Sequence, residues 1–171
     1  MLTIMAVMTD TDKRSSTMPT HRRQVAPTPV PDLSLGVLLF LPHRHLEREV
    51  LAAVTAAGHA ITLAQARVFQ RVDHAGIRLT RLAESAQVTK QTAGVLVDEL
   101  QRGGYVERIP DPSDGRARLI TITAKGYQVI KIALNRQNEI EAQWKHHLGP
   151  RASDQLHQAL RKLREITDPY A

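Results

Sequence analysis

The sequence predicts a mainly helical fold carrying one small β-hairpin, on three observations. Aromatic residues make up only 4% of the 171 residues, so the core must be built from Leu, Ile, Val and Ala. Apolar residues recur at helical spacing through most of the chain. Near the middle, two β-prone runs, Tyr105 to Ile109 and Ala117 to Ile122, flank Pro110-Asp111-Pro112-Ser113-Asp114-Gly115-Arg116. That segment is dense in turn formers, so the two runs read as a hairpin.

The elements follow in order. Residues 1–30 are expected to be a disordered tail, because Pro19, Pro27 and Pro29 break any helix and the rest is Thr, Ser and scattered charge. Arg14, Arg22 and Arg23 in that tail are either a basic arm or solvated charge. From Asp32 to about Ala57, Leu35, Leu38, Leu39, Leu46, Val50, Leu51 and Val54 predict a first helix, capped by Asp32 or Ser34 and ended by Gly58. Pro42 lies inside it and is expected to kink or split it. Thr62-Leu63-Ala64-Gln65 is a capping box, which opens a second helix expected to reach about Asp73.

A short third helix is expected from the cap Thr80, with Leu82 and Ala83 inward. Gln87-Val88 makes a turn, and Thr89 caps a fourth helix that buries Ala93, Leu96, Val97 and Leu100 before Gly103-Gly104. The short gap between these two helices is the helix-turn-helix spacing. After the hairpin, Thr123 caps a long helix to about His147, with Val129, Ile130, Ala133, Leu134, Ile140 and Trp144 apolar. Gly149-Pro150 breaks the chain before a last helix to about Ile166, with Leu156, Leu160 and Leu163 on one face. Helix, turn, helix, strand, basic tip, strand is the order of a winged helix-turn-helix, spanning residues 61–126. Residues 31–60 and 127–171 supply amphipathic helices with no sizeable core of their own, so they are expected to pack against a second copy in a symmetric homodimer.

Composition narrows the function. The net charge of +6 permits an anionic partner, of which nucleic acid is the usual one. The chain has no cysteine, which excludes disulfides, thiolate metal sites and cysteine redox chemistry. No apolar run approaches a membrane span, and the opening residues lack a basic n-region, so cytoplasmic residence without a membrane is expected. There is no glycine-rich phosphate loop, no His-Glu-x-x-His and no Ser-His-Asp set, so neither an enzyme nor a cofactor is expected.

One segment resembles a known family. Asp114-Gly115-Arg116, followed by Leu119, Thr121, Thr123 and Gly126, is similar to the wing signature of the MarR family of bacterial transcription regulators. The preceding VDELQRGGYVER resembles that family's recognition-helix end and first wing strand. The resemblance runs from about Leu33 to Leu163. It implies a triangular dimer, with terminal helices at the apex and a winged helix at each lower corner. It also implies a repressor that releases DNA when a small aromatic or phenolic ligand binds. The family commonly carries Arg where this chain has Val95, which leaves thymine-methyl contact or burial for that residue.

Double-stranded DNA is therefore the expected partner, and the candidate contacts are specific. Lys90 and Gln91 at the leading edge of the fourth helix can bond guanine and adenine edges, while Thr89 and Thr92 can bond phosphate. Gly94 is costly inside a helix and fits either close approach to a DNA backbone or tight helix packing. Arg116 at the wing tip suits a narrow minor groove. Asp114 is expected to brace that Arg or the turn, and Arg118 is a phosphate contact or a solvated charge. Arg78 and Arg81 are placed to reach phosphate, though Arg81 can equally pair with Glu84.

A ligand pocket is expected between the first, second and fifth helices, lined by Leu39, His43, Leu46 and Phe69. Two rival readings remain. His43, His45, His146 and His147 near the dimer region allow a metal-sensing regulator. A winged helix used only for protein contact is the other.

Overall fold

Four hydroxyls start four of the helices. Ser34, Thr62, Thr89 and Thr123 each accept a hydrogen bond from the backbone N–H three residues on, which satisfies a donor that the first helical turn leaves unpaired. The computed structural model describes residues 33–168. The expected tail, its arginines and the Asp32 cap lie outside those residues. In chain order the elements are α1 (Leu35–Ala56), α2 (Leu63–Phe69), β1 (Ile77–Arg78), α3 (Leu79–Ser85), α4 (Lys90–Arg102), β2 (Val106–Asp111), β3 (Asp114–Ile122), α5 (Ala124–Leu148) and α6 (Pro150–Thr167).

Pro42 does not split α1, which runs unbroken past it. Proline lacks one N–H, so the helix loses a single rung there. The capping box at Thr62 is complete, with Gln65 Oε1 accepting from Thr62 N at 2.8 Å. The second helix is shorter than expected: it ends at Phe69 because Arg71 N and Val72 N bond back only three residues, to Val68 and Phe69 carbonyls, and close a tight turn. The third helix begins at Leu79, not after a Thr80 cap; its N-cap position, Arg78, makes no side-chain capping bond. The reason is β1, which the sequence did not announce. Ile77 and Arg78 pair antiparallel with Ile120 and Leu119, so the sheet delivers the chain directly into α3.

The sheet has the order β1-β3-β2 and is antiparallel throughout. The hairpin strands run further than the sequence suggests, and Asp111 opposes Asp114 across a turn of only Pro112 and Ser113. Beneath the sheet lies one aliphatic core. Val68, Leu82, Val97, Leu100, Val106 and Ile120 are almost wholly buried, with Phe69 and Tyr105 beside them. The expected inward face of α4 is confirmed: Ala93, Val97 and Leu100 are buried and Leu96 is half-buried.

Ion pairs fix the neighbouring helices. Arg136 on α5 donates to Glu49 on α1 at 2.7 Å. Arg67 on α2 grips Glu47 on α1 with two bonds of 2.8 and 2.9 Å. At the far end, Gly149 at φ +77° and Pro150 separate α5 from α6. Helix α6 buries none of its residues, and the first turns of α1 are likewise exposed despite six apolar side chains between Leu35 and Leu41. Among the described residues no helix is long and apolar enough to cross a membrane.

Candidate nucleic-acid interface

The turn between α3 and α4 is held by its backbone. Gln87 adopts a left-handed φ of +54°, and Val88 N bonds the Ala83 carbonyl at 3.0 Å. This aims the start of α4 outward. Thr89 accepts from Thr92 N at 3.1 Å, and the two threonine hydroxyls lie 2.8 Å apart. Both hydroxyls are thus engaged with each other. Lys90 and Gln91 differ: they are exposed and, among the described residues, make no side-chain hydrogen bond or ion pair.

Further along the outer face Val95 is 53% exposed, which removes burial as the explanation of an apolar residue there. Gly94 is half-buried, and a Cβ added to it would meet only Leu79 Cδ2 at 3.8 Å, an ordinary contact. Tight packing therefore does not require the glycine. Asp98 and Gln101 on the same helix receive Arg108 of β2, the former at 2.6 Å, so the wing is tied to α4 at its base.

The wing tip is organised by acids. Asp111 is only 5% exposed. One of its oxygens accepts from Ser113 N at 2.8 Å and Ser113 Oγ at 2.7 Å; the other accepts from Arg78 Nε at 2.7 Å and lies 2.6 Å from Arg78 Nη2. The Ser113 hydroxyl and amide, followed by Arg78, outweigh the burial that opposes ionisation and hold the Asp111 carboxyl down to about 2. Asp114 braces the turn, accepting from Arg116 N at 3.1 Å, and stands 3.8 Å from Arg78. It does not brace the Arg116 guanidinium.

Arg116 and Arg118 are exposed and, among the described residues, have no side-chain partner. The two other arginines from the sequence reading do. Arg81 pairs with Glu84 at 3.0 Å, and the Arg78 guanidinium is taken up by Asp111. The structure thus leaves two separate groups open, Lys90 and Gln91 at the start of α4 and Arg116 and Arg118 on the wing, while Arg78 works as a strut. Sequence reasoning missed Asp111 and Ser113; the Asp-Pro-Ser turn was the available signal, since such a side chain bonds backbone two residues on.

The expected ligand residues do not share one space. A cavity of about 510 Å³ between α1, α2 and α5 is lined by His43, Leu46 and Phe69 but not by Leu39. Leu39 lines a second space of about 780 Å³ between α1, α5 and α6, together with His43 and Leu46. The early turns of α1 face α5 and α6, and only its later turns reach α2. The four histidines weighed as metal ligands form no metal-holding group among the described residues.

Comparison with known proteins agrees with this fold. The model of the MarR family matches residues 59–117. The HTH-type transcriptional repressor Rv2887 of Mycobacterium tuberculosis is 32% identical over 103 residues, covering 60% of this chain and 73% of that protein. The transcriptional regulator HosA of Escherichia coli O111:H- is 26% identical over 125 residues, covering 73% and 88%. The transcriptional activatory protein BadR of Rhodopseudomonas palustris is 30% identical over 93 residues, covering 54% and 52%. Among solved structures, the transcriptional regulator Tm0710 of Thermotoga maritima superposes with a TM-score of 0.57 at 27% identity, covering 77% of this chain and 92% of that one. Apo MarR of E. coli superposes with a TM-score of 0.62 at 22% identity, covering 77% and 96%.

Proposed function

This chain belongs to the MarR family of transcription regulators, and on that premise we propose that it binds a pseudo-palindromic operator as a homodimer, represses from it, and leaves it when a small apolar ligand binds. The observation that carries the DNA reading is the pairing pattern of the arginines. Among the described residues Arg116 and Arg118 on the wing have no side-chain partner, while Arg78, Arg81 and Arg108 are all paired with acids within the fold. Exposed guanidinium groups on the wing, with the exposed Lys90 at the start of α4, suit a polyanion. Lys90 and Gln91 would meet base edges, Thr89 and Thr92 would position the helix on phosphate, and Arg116 would enter the minor groove.

The homodimer is supported by what lacks cover. Leu35, Leu38 and Phe40 on α1 and Leu156, Leu160 and Ile166 on α6 are exposed. A second copy of the same helices would bury both faces at once, and a two-fold pair of α4 helices sets half-sites about one helical turn apart. The cavity beside α2 would couple ligand to DNA by favouring a spacing of the recognition helices that misses the groove.

The test is fluorescence anisotropy on duplex DNA from upstream of the gene and on a scrambled duplex, over a salt series, with Arg116→Ala alongside. Selective binding that weakens in the variant and falls steeply with salt is the expected result. Equal weak binding of both duplexes, unchanged by the variant, would sink the reading.

A further inference from the structure

The cavity between α1, α2 and α5 carries its charge in one place. Its walls are mostly aliphatic, with Val50, Leu51, Ile61, Val129 and Ile130 among them. Among the described residues, the imidazoles of His43 and His74 line it, and the carboxylate and guanidinium that line it are those of Glu47 and Arg67. These are locked together: Arg67 Nε and Nη2 donate to the two Glu47 oxygens at 2.8 and 2.9 Å. Glu47 is the sheltered partner, 16% exposed against 56% for Arg67, and His43 Nε2 approaches it at 3.5 Å. The Arg67 hydrogen bond, ahead of the other effects, keeps the Glu47 carboxyl below its usual range, so Glu47 is an anion at neutral pH.

The geometry points to Glu47 as a specificity-determining residue that closes this cavity to carboxylates and reserves it for uncharged aromatic or alicyclic molecules bearing one hydroxyl or carbonyl. This rests on the ligand-release reading above and names the ligand class for that site. A bidentate pair satisfies the edge of the guanidinium best shaped to receive a carboxylate. An incoming anion must either displace Glu47, leaving that sheltered charge unpaired, or sit beside it and be repelled. A neutral hydroxyl meets neither cost, because it can bond a free N–H of Arg67 or a ring nitrogen of His43 or His74. The volume, about 510 Å³, lies within the range of small-molecule sites.

The experiment is isothermal titration calorimetry of the full chain with 2-naphthol and with 2-naphthoate, which share a ring system and differ in charge, on the wild type and on Glu47→Gln. The wild type is expected to bind naphthol at least about tenfold more tightly than naphthoate. Glu47→Gln, checked for an unchanged circular dichroism spectrum, frees the guanidinium and is expected to gain roughly tenfold for naphthoate while naphthol moves less than about twofold. Should the substitution unfold the protein, Glu47→Gln with Arg67→Gln restores a matched neutral pair, and the two ligands should then converge. Naphthoate bound as tightly as naphthol by the wild type, or no gain in a folded Glu47→Gln, overturns the charge assignment alone. Binding of neither compound to folded wild type overturns it together with the ligand reading on which it rests.

Discussion

Arg78 and Asp111 lock the wing to the start of α3: the guanidinium donates from Nε at 2.7 Å, and its Nη2 lies 2.6 Å from the same oxygen of a nearly buried carboxylate. Arg78 stands in β1, one residue before α3, and Asp111 ends β2, so the pair spans the sheet and joins its two outer strands. Ser113 takes the other Asp111 oxygen. The consequence is that the direction of the Arg116-bearing tip is set by residues that need not touch DNA.

Asp111→Ala should therefore weaken operator binding, by an expected roughly tenfold, although it removes a negative charge from a protein that binds a polyanion. Anisotropy at fixed salt separates the two effects. Loss of affinity with an unchanged salt slope marks a misdirected wing. A rise in affinity with a steeper slope would instead make Arg78 a phosphate contact that Asp111 restrains.

The same carboxylate predicts an acid dependence. Its folded value of about 2 lies below the unfolded value of about 3.9. A depressed acid stabilises the fold fully above the unfolded value and loses that contribution as pH falls through the folded one. Glu47 and Glu49, lowered chiefly by Arg67 and Arg136, add in the same direction below about 4.5. Thermal melts from pH 5 to pH 2 should fall more steeply for the wild type than for Asp111→Asn. Parallel curves would remove Asp111 from the acid limb.

How much of this was legible beforehand follows from the range of each interaction. The caps Ser34, Thr62, Thr89 and Thr123 were readable because a hydroxyl and an N–H three residues apart need nothing else. The Gly149-Pro150 break was readable for the same local reason. The strand at Ile77 was not, since two residues become a strand only through pairing with Leu119 and Ile120. The Arg78 strut was hidden likewise, because its partner lies 33 residues away. Leu39 was assigned to the wrong cavity because periodicity gives the face of a helix but not which neighbour that face meets at each turn. Lys90 and Gln91 were legible as a helix's leading edge and Arg116 as a wing tip, and among the described residues none of the three has a side-chain partner.

Val95 offers a gain-of-contact test. It is exposed on α4, one turn after Gln91 on the same outer face. Val95→Arg should tighten binding to both operator and scrambled duplex and steepen the salt dependence by roughly 1.8 in log–log slope, two further phosphates neutralised, one by each subunit of the dimer. Unchanged slope with altered sequence preference would assign Val95 to base contact instead.

The α6 face tests the assembly. Leu156, Leu160 and Leu163 share one side of the helix, and Ile166 extends it at 83% exposure. Each leucine buried in an interface is worth roughly 1.5–3 kcal/mol, and two-fold symmetry counts it twice. Leu160→Asp should shift the mass seen by light scattering toward the monomer and abolish tight operator binding. A dimer that survives the substitution, with full DNA affinity, would place the interface elsewhere.

Two glycines in helices should respond oppositely to alanine. At Gly126 a Cβ would collide with the Tyr105 carbonyl, the Ile122 Cγ2 and the Phe69 ring. Gly126→Ala is thus expected to destabilise by about 1–3 kcal/mol, overpacking outweighing the helical preference for alanine. At Gly94 the added methyl meets only Leu79, at 3.8 Å. Gly94→Ala should raise stability by up to about 1 kcal/mol in a denaturant melt. Its effect on DNA then decides why the glycine is there. A more stable protein that binds operator several-fold more weakly means that the backbone of α4 comes close to the sugar-phosphate chain. Full affinity in the more stable variant would mean that neither packing nor DNA requires glycine at that position.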